Sequence, residues 1–187
     1  MSGKWTKRTM RMRDDHGWTA KPGNVVFVAD RGAVIFEYPR EWAFVPEGAT
    51  AALYDKAPPD DECRLQMTLF HLPPGIDWSA LPLGPMLADA VTGHVDPTAT
   101  WGEIATEERP GLELAWTETR FVDKGEQRPA RSRTCIARGG DVQCLITLDF
   151  WEDDAGRVVP VWDDVLETLR LGEKIADPTR GPRRKRR

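Results

Sequence analysis

The stretch that decides the fold reads Gly32-Ala-Val-Ile-Phe-Glu-Tyr-Pro-Arg-Glu-Trp42. Its residues 33–38 are β-branched and aromatic, and Asp30-Arg31-Gly32 separates them from a similar run at 25–29. A three-residue connection that ends in glycine predicts a β-hairpin. Because a proline removes a donor from the ladder, Pro39 ends the second strand, and Trp42 can fold back over the sheet.

Further strands and two helices are predicted along the rest of the chain. Alternation of apolar and polar residues, broken by Gly- and Pro-containing turns, predicts strands at 51–54, 64–70, 103–108, 112–122, 131–137 and 142–151. A short helix is expected at 85–92, with Pro85 at its first position. A second helix is expected at 160–171, with one apolar face and Arg170 in its last turn.

This order of elements predicts the fold class. We expect an α+β domain in which one antiparallel sheet is packed between helices, with the helix that carries Trp162 closing one side. A regular alternation of strands and crossover helices is absent from the sequence, which argues against a doubly wound nucleotide-binding fold.

The segment from Gly32 to Trp42 resembles the opening of the Mog1/PsbP-like family, whose members begin with a glycine, an apolar strand and Pro-x-x-Trp. The resemblance extends over residues 24–174 and implies an α/β/α sandwich. It does not fix a function, because relatives include a Ran-binding protein, a photosystem II extrinsic subunit and bacterial proteins of unclear role. It favours binding or assembly over catalysis. We identify no residues that would carry over Ran binding, and without a targeting peptide a lumenal role is not expected.

The charge distribution divides the chain into three parts. The first 13 residues contain five basic side chains, the last eight contain six, and the segment between them contains 15 basic and 30 acidic residues. We expect a flexible basic segment at 1–22, one α+β domain at 23–174, and a disordered basic tail at 175–187. With no apolar run long enough for a membrane span, we expect a cytoplasmic protein.

Three cysteines are an odd and sparse set, as in a reducing compartment. If Gly139-Gly140 were a two-residue turn, Cys135 would lie opposite Cys144 and their sulfurs could meet. A three-residue loop would instead pair Ile136 with Cys144, which is the better hydrophobic match. We favour the second register and ordinary buried thiols, with a redox pair as the alternative.

The sequence contains none of the common phosphate-loop, dinucleotide or zinc-hydrolase motifs. We expect no metal or cofactor site and no catalytic residue set. The remaining enzyme hypothesis is a hydrolase-type site in which His71 approaches Cys63, Asp77 or loop carboxylates.

The leading functional hypothesis is a non-catalytic module that binds or assembles with an unknown protein partner. Its contact surface would consist of the loops 56–62 and 72–83, with Trp78 as an aromatic anchor. Asp60, Asp61 and Glu62 would add a negative field that steers a basic partner. A second acidic cluster lies at 152–154.

The alternative partner is nucleic acid. The basic side chains of the C-terminal tail would bind it through salt-sensitive, sequence-independent phosphate contacts: Arg183, Arg184, Lys185, Arg186 and Arg187. A solubilising tail that folds onto the acidic body is the competing explanation.

Overall fold

The computed structural model describes residues 12–48, 50–92 and 99–182. It contains two helices, α1 (Leu83–Thr92) and α2 (Ala155–Thr168). Its strands are β1 (Asn24–Ala29), β2 (Val34–Pro39), β3 (Ala43–Glu47), β4 (Thr50–Tyr54), β5 (Cys63–His71), β6 (Thr100–Trp101), β7 (Ala105–Arg109), β8 (Leu112–Val122), β9 (Pro129–Gly139), β10 (Val142–Trp151) and β11 (Arg170–Leu171).

These strands form two antiparallel sheets. The main sheet has the order β3-β4-β5-β10-β9-β8-β6, and β7 also pairs with β8. A smaller sheet has the order β1-β2-β11. The predicted hairpin is present, with Ala29 opposite Val34 across the connection.

The two helices lie on opposite faces of the main sheet. Leu87 of α1 packs with Ala115 and Ile136, whereas Trp162 of α2 packs in the cluster that contains Cys135. Since neighbouring residues of a strand point to opposite faces, Cys135 and Ile136 mark the two sides. The predicted α+β fold with a sheet between helices is therefore confirmed.

The predicted bounds of the second helix were wrong. It begins at Ala155, so Pro160 lies inside it, and its fully buried face includes Val158 and Trp162. It ends at Thr168, because Arg170 and Leu171 leave the helix and pair with β2. Trp162 closes the core as expected: it is fully buried and meets Trp116 edge to face at 5.9 Å.

Both predicted registers of the β9–β10 hairpin were wrong. Val142 lies opposite Gly139, so the turn consists of Gly140 and Asp141, and Gly140 adopts a positive φ of 60°. Cys144 therefore faces Ala137, and Cys135 faces Ile146. The three cysteines are free and buried.

The turns of the two sheets approach each other closely at three glycines. A Cβ atom on Gly139 would lie 2.4 Å from the carbonyl oxygen of Gly111, in the β7–β8 turn. Gly172, which follows β11 with a φ of 68°, would place a Cβ 3.0 Å from the carbonyl oxygen of Gly139. Only residues without a side chain allow this approach.

The described parts of the two terminal segments, 12–22 and 175–182, contact each other. Gly17 donates a backbone hydrogen bond to the carbonyl of Arg180 at 2.6 Å, and the Trp18 indole donates to Pro178 at 2.8 Å. Ile175 is buried and donates to the carbonyl of Arg31. Within the described residues, neither helix is long and apolar enough to cross a membrane.

Candidate binding cleft

Two acidic clusters that are far apart in sequence meet at one end of the main sheet. Strand β5 begins at Cys63 and β10 ends at Trp151, and the two strands are antiparallel with Cys63 opposite Phe150. The loop before β5 and the short 3-10 turn Glu152–Asp154 after β10 therefore lie at the same end of the sheet. The register of this strand pair is what joins them.

A buried carboxylate fixes the loop before β5. The side chain of Asp55 is only 2% exposed, and its Oδ1 accepts hydrogen bonds from the backbone N–H groups of Glu62 at 2.9 Å and Cys63 at 3.1 Å. Arg157, in the first turn of α2, places Nη1 2.9 Å from Asp55 Oδ2 and Nη2 2.9 Å from Asp154 Oδ1. Arg157 thus ties the loop to the helix, and the buried charge of Asp55 is paired.

A second arginine bridges the two acidic clusters. Arg128 lies 3.4 Å from Glu62 Oε2 through Nη1 and 3.5 Å from Asp153 Oδ2 through Nη2. Its guanidinium also stacks over the ring of Trp151, 4.8 Å from the centroid. This stacking holds the guanidinium at the cleft wall. A pre-positioned guanidinium loses less conformational entropy on pairing with the carboxylates than a freely rotating one would.

Between these groups lies a cleft of about 480 Å³ with Trp42 in its wall, which we call the ionic cleft. Its carboxylates come from three segments of the chain: Glu41, Asp55, Glu62 and Asp154. Its cations are Lys56, Arg128 and Arg157, and the two arginines are already paired with carboxylates.

Of the predicted acidic residues, Glu62 lines this cleft, and Asp60 and Asp61 precede it in the same loop. Asp60 is exposed, and Asp61 and Glu62 are half-buried. Within the described part of the chain, Asp60, Asp61 and the exposed Glu41 have no salt bridge, so their charges are available to a partner. Asp153, whose side chain is 84% exposed, adds a further carboxylate beside Arg128.

The predicted aromatic anchor lies elsewhere. Trp78 follows the other end of β5, and the nine residues of that strand span about 27 Å. Trp78 is half-buried, and its indole N–H donates to the carbonyl of Pro73 at 3.2 Å. Ile76 and Leu81 in the same loop are more exposed, at 52% and 46%. The sequence had led us to expect that the loops 56–62 and 72–83 form one contact surface. They lie at opposite ends of β5 and do not.

Of the groups named for the hydrolase-type site, His71 meets neither Cys63 nor Asp77, and the carboxylate that it does contact is Asp30 in the β1–β2 connection. His71 ends β5 on the surface, where its Nε2 lies 2.8 Å from Asp30 Oδ2. Cys63 begins the same strand and is buried, and that burial raises the pKa of its thiol. Asp77 accepts hydrogen bonds from Ser79 instead. Because proton transfer requires contact at about 3 Å, His71 and Cys63 cannot act together.

The sequence reasoning missed both Asp55 and the basic residues of the cleft. For Asp55 a signal was available, because it is a carboxylate that directly follows the apolar strand β4. Arg128 and Arg157 carried no local signal, because only the strand pairing brings them to the acidic loop. The basic residues 183–187, on which the nucleic-acid hypothesis rests, lie outside the described residues.

Comparison with known proteins places the chain among sequences of similar length. A family model described as Alr1449 matches residues 25–175. The uncharacterized protein alr1449 of Nostoc sp. is 42% identical over 179 residues, which cover 95% of this chain and 93% of that protein.

Two solved structures share the fold. The solution structure of the cyanobacterial PsbP protein CyanoP, from Synechocystis, aligns with a TM-score of 0.59 at 15% identity, over 83% of this chain and 96% of that one. LpqN of Mycobacterium tuberculosis, described as involved in cell envelope biogenesis, aligns with a TM-score of 0.53 at 12% identity, over 80% and 91%. At these identities the likeness concerns the fold alone, and it confirms the predicted Mog1/PsbP-like architecture.

Proposed function

Because the chain belongs to the Alr1449 family and has a Mog1/PsbP-like fold, we propose that it is a non-catalytic binding module whose ionic cleft takes a basic segment of a cytoplasmic protein partner. The observation that carries this proposal is the convergence of two acidic clusters on one cleft. Both arginines of that cleft are already neutralised. Glu41 in its lining, and Asp60 and Asp61 in the adjoining loop, have no salt bridge among the described residues.

Charge and shape together favour a basic peptide segment. Three carboxylates in or beside the cleft, Glu41, Asp60 and Asp61, have no salt bridge among the described residues. Within the same residues Lys56 is the cleft cation without one, so negative charge is in surplus. The half-buried Val161 in the same cleft offers apolar surface to the stem of a lysine or arginine, since such stems pack on apolar surface while their charged ends remain in water. Rim charges of this kind mainly raise the rate of association and select the sign of the partner.

The test measures binding of a fluorescent octapeptide of alternating lysine and serine by anisotropy at low salt. The cleft variant combines Glu41→Gln, Asp60→Asn and Asp61→Asn. Each exposed ion pair contributes about 0.2–1 kcal/mol, so the three substitutions should weaken binding by about tenfold.

A matched control separates the cleft from the net charge of the protein. The variant Asp89→Asn, Glu103→Gln, Glu108→Gln removes the same number of charges from exposed positions on α1, the β6–β7 connection and β7. The proposal requires that this control retain most of the affinity. Equal loss in both variants would mean that only long-range charge attracts the peptide, and the cleft would not be the site.

A further inference from the structure

The edge strands of the two sheets are protected to different degrees. On the main sheet, β3 contains Pro46, β7 exposes Glu107 and Glu108, and β6 has only two residues. On the small sheet, β11 has two residues, whereas β1 is a six-residue edge that reads Asn24-Val-Val-Phe-Val-Ala29. Prolines, charges and short length are the usual means by which edges avoid pairing with another chain. Strand β1 has none of them.

Hydrogen-bond directions show which groups of β1 point outward. On β2, the N–H of Glu37 donates to Thr168 Oγ1 and the carbonyl of Ala33 accepts from Gly172, so both point away from β1. Because directions alternate along an antiparallel ladder, Phe36 and its neighbours two residues away bond to β1. Their partners on β1 are Val25, Phe27 and Ala29.

The other residues of β1 therefore direct their backbone groups to the open side. Val26 and Val28 lie opposite Glu37 and Ile35, which are non-hydrogen-bonded positions of this pair. In the described residues, no backbone hydrogen bond reaches Val26 or Val28 from that side. Two N–H and two C=O groups are thus arranged in a row, as a further antiparallel strand would need them.

We propose that β1 pairs with β1 of a second copy of this chain, so that the two three-stranded sheets join into one sheet across a two-fold axis. The sequence of β1 is suited to itself. Antiparallel pairing through the outward groups places Val26 opposite Val28 of the other copy, or Val26 opposite its own equivalent. Either register juxtaposes β-branched side chains, which are favourable cross-strand neighbours. A two-fold interface of this kind is self-complementary and closes as a dimer.

The direction of the Val26 N–H provides a selective variant. Val26→Pro removes an outward donor, and proline is tolerated on edge strands where the N–H faces solvent. Val28→Lys adds the charge that protected edges carry. Val26→Thr is the matched control, because it keeps the N–H and the β-branched shape.

The experiment measures mass by light scattering after size exclusion, from about 1 to 200 μM protein, a range chosen around the μM affinity of a modest interface. We expect a concentration-dependent dimer in the wild type and in Val26→Thr, and at least about tenfold weaker dimerisation in Val26→Pro and in Val28→Lys. Circular dichroism shows whether each variant is folded. If Val26→Pro does not fold, Val28→Lys alone tests the edge. Amide exchange at Val26 and Val28 should slow as dimer forms.

Three results would overturn the proposal. The first is a monomer at every concentration. The second is a dimer that folded Val26→Pro and Val28→Lys leave unchanged. The third is a monomer in which the Val26 and Val28 amides are already protected, because the chain would then cover this edge itself.

Discussion

We expect the substitution Arg109→Ala to lower the free energy of unfolding by about 2 kcal/mol, because this side chain closes the carboxyl end of α2 from outside the helix. The last carbonyls of a helix have no intrahelical donor. Arg109, at the end of β7, donates through Nη1 to the carbonyl of Glu167 at 2.8 Å and through Nη2 to that of Leu166 at 2.6 Å. Helix α2 has no basic residue in its own last turn.

The magnitude follows from the chemistry and exposure of this contact. A hydrogen bond from a charged donor contributes about 1.5–3 kcal/mol, and a cation at a helix carboxyl end about 0.3–1 kcal/mol. The Arg109 side chain is 27% exposed, so solvent screening keeps the sum near 2 kcal/mol. In a protein of this size that loss corresponds to a melting temperature lower by about 4–8 °C.

Urea unfolding followed by tryptophan fluorescence measures the effect, with an unchanged m-value as the sign that the same surface is exposed. Arg109→Lys keeps the charge without the planar fork, so we expect it to recover less than half of the loss. Arg120→Ala is the control, because this arginine is exposed and its salt bridge among the described residues is to Glu118 at 3.1 Å. The reasoning is refuted if Arg109→Ala costs no more than Arg120→Ala.

Three further predictions concern the interior. Trp162→Ala should cost about 3–5 kcal/mol in urea unfolding, since the indole is fully buried; a loss below about 1 kcal/mol would contradict its role in closing the core. Burial raises the pKa of Asp149 above its unfolded value, so its ionisation opposes folding at neutral pH and ceases to do so as pH falls toward about 4. Asp149→Asn should therefore be more stable than wild type at pH 7 and lose this advantage near pH 4, and a pH-independent difference would contradict this. Burial raises the pKa of all three thiols, that of Cys144 to about 12, so the native protein at pH 8 should react with a thiol reagent far more slowly than the unfolded one. Rapid labelling of any native cysteine would be the contrary result.

The strands that could be predicted closely are those whose local pattern and tertiary role agree. The bounds of β8 and β10 match the predicted 112–122 and 142–151, because alternation continues without interruption between clear turns. Strand β3 escaped prediction, since it is a short edge that contains Pro46. Its place is fixed by pairing with β4, which no local pattern reveals.

Errors arose where a residue has two structural roles. Pro160 was interpreted as the first residue of a helix, but burial of Val158 on the core face extends α2 by five residues before it. Arg170 was expected in the last turn of this helix, whereas it leaves the helix and pairs with Ile35 of β2. Tertiary packing decided between these roles.

The candidate cleft was predicted in part. Asp60, Asp61 and Glu62 were singled out for their charge; Glu62 lines the cleft, and Asp60 and Asp61 precede it in the same loop. That the cluster at 152–154 joins them depends on the β5–β10 register, and the pairing of Arg128 and Arg157 depends on it in turn. Such convergence is a property of topology and could not be read from spacing along the chain.

The bare main-chain contact among Gly111, Gly139 and Gly172 bears on how the molecule comes apart. Where side chains separate two layers, they can change rotamer and let one layer shift, whereas these three glycines have no side chain to rearrange. The turns of the main sheet and the end of the small sheet must separate completely or stay together. We therefore expect both sheets to melt in one cooperative transition, with no partly opened state in which the β1–β2 hairpin has detached alone.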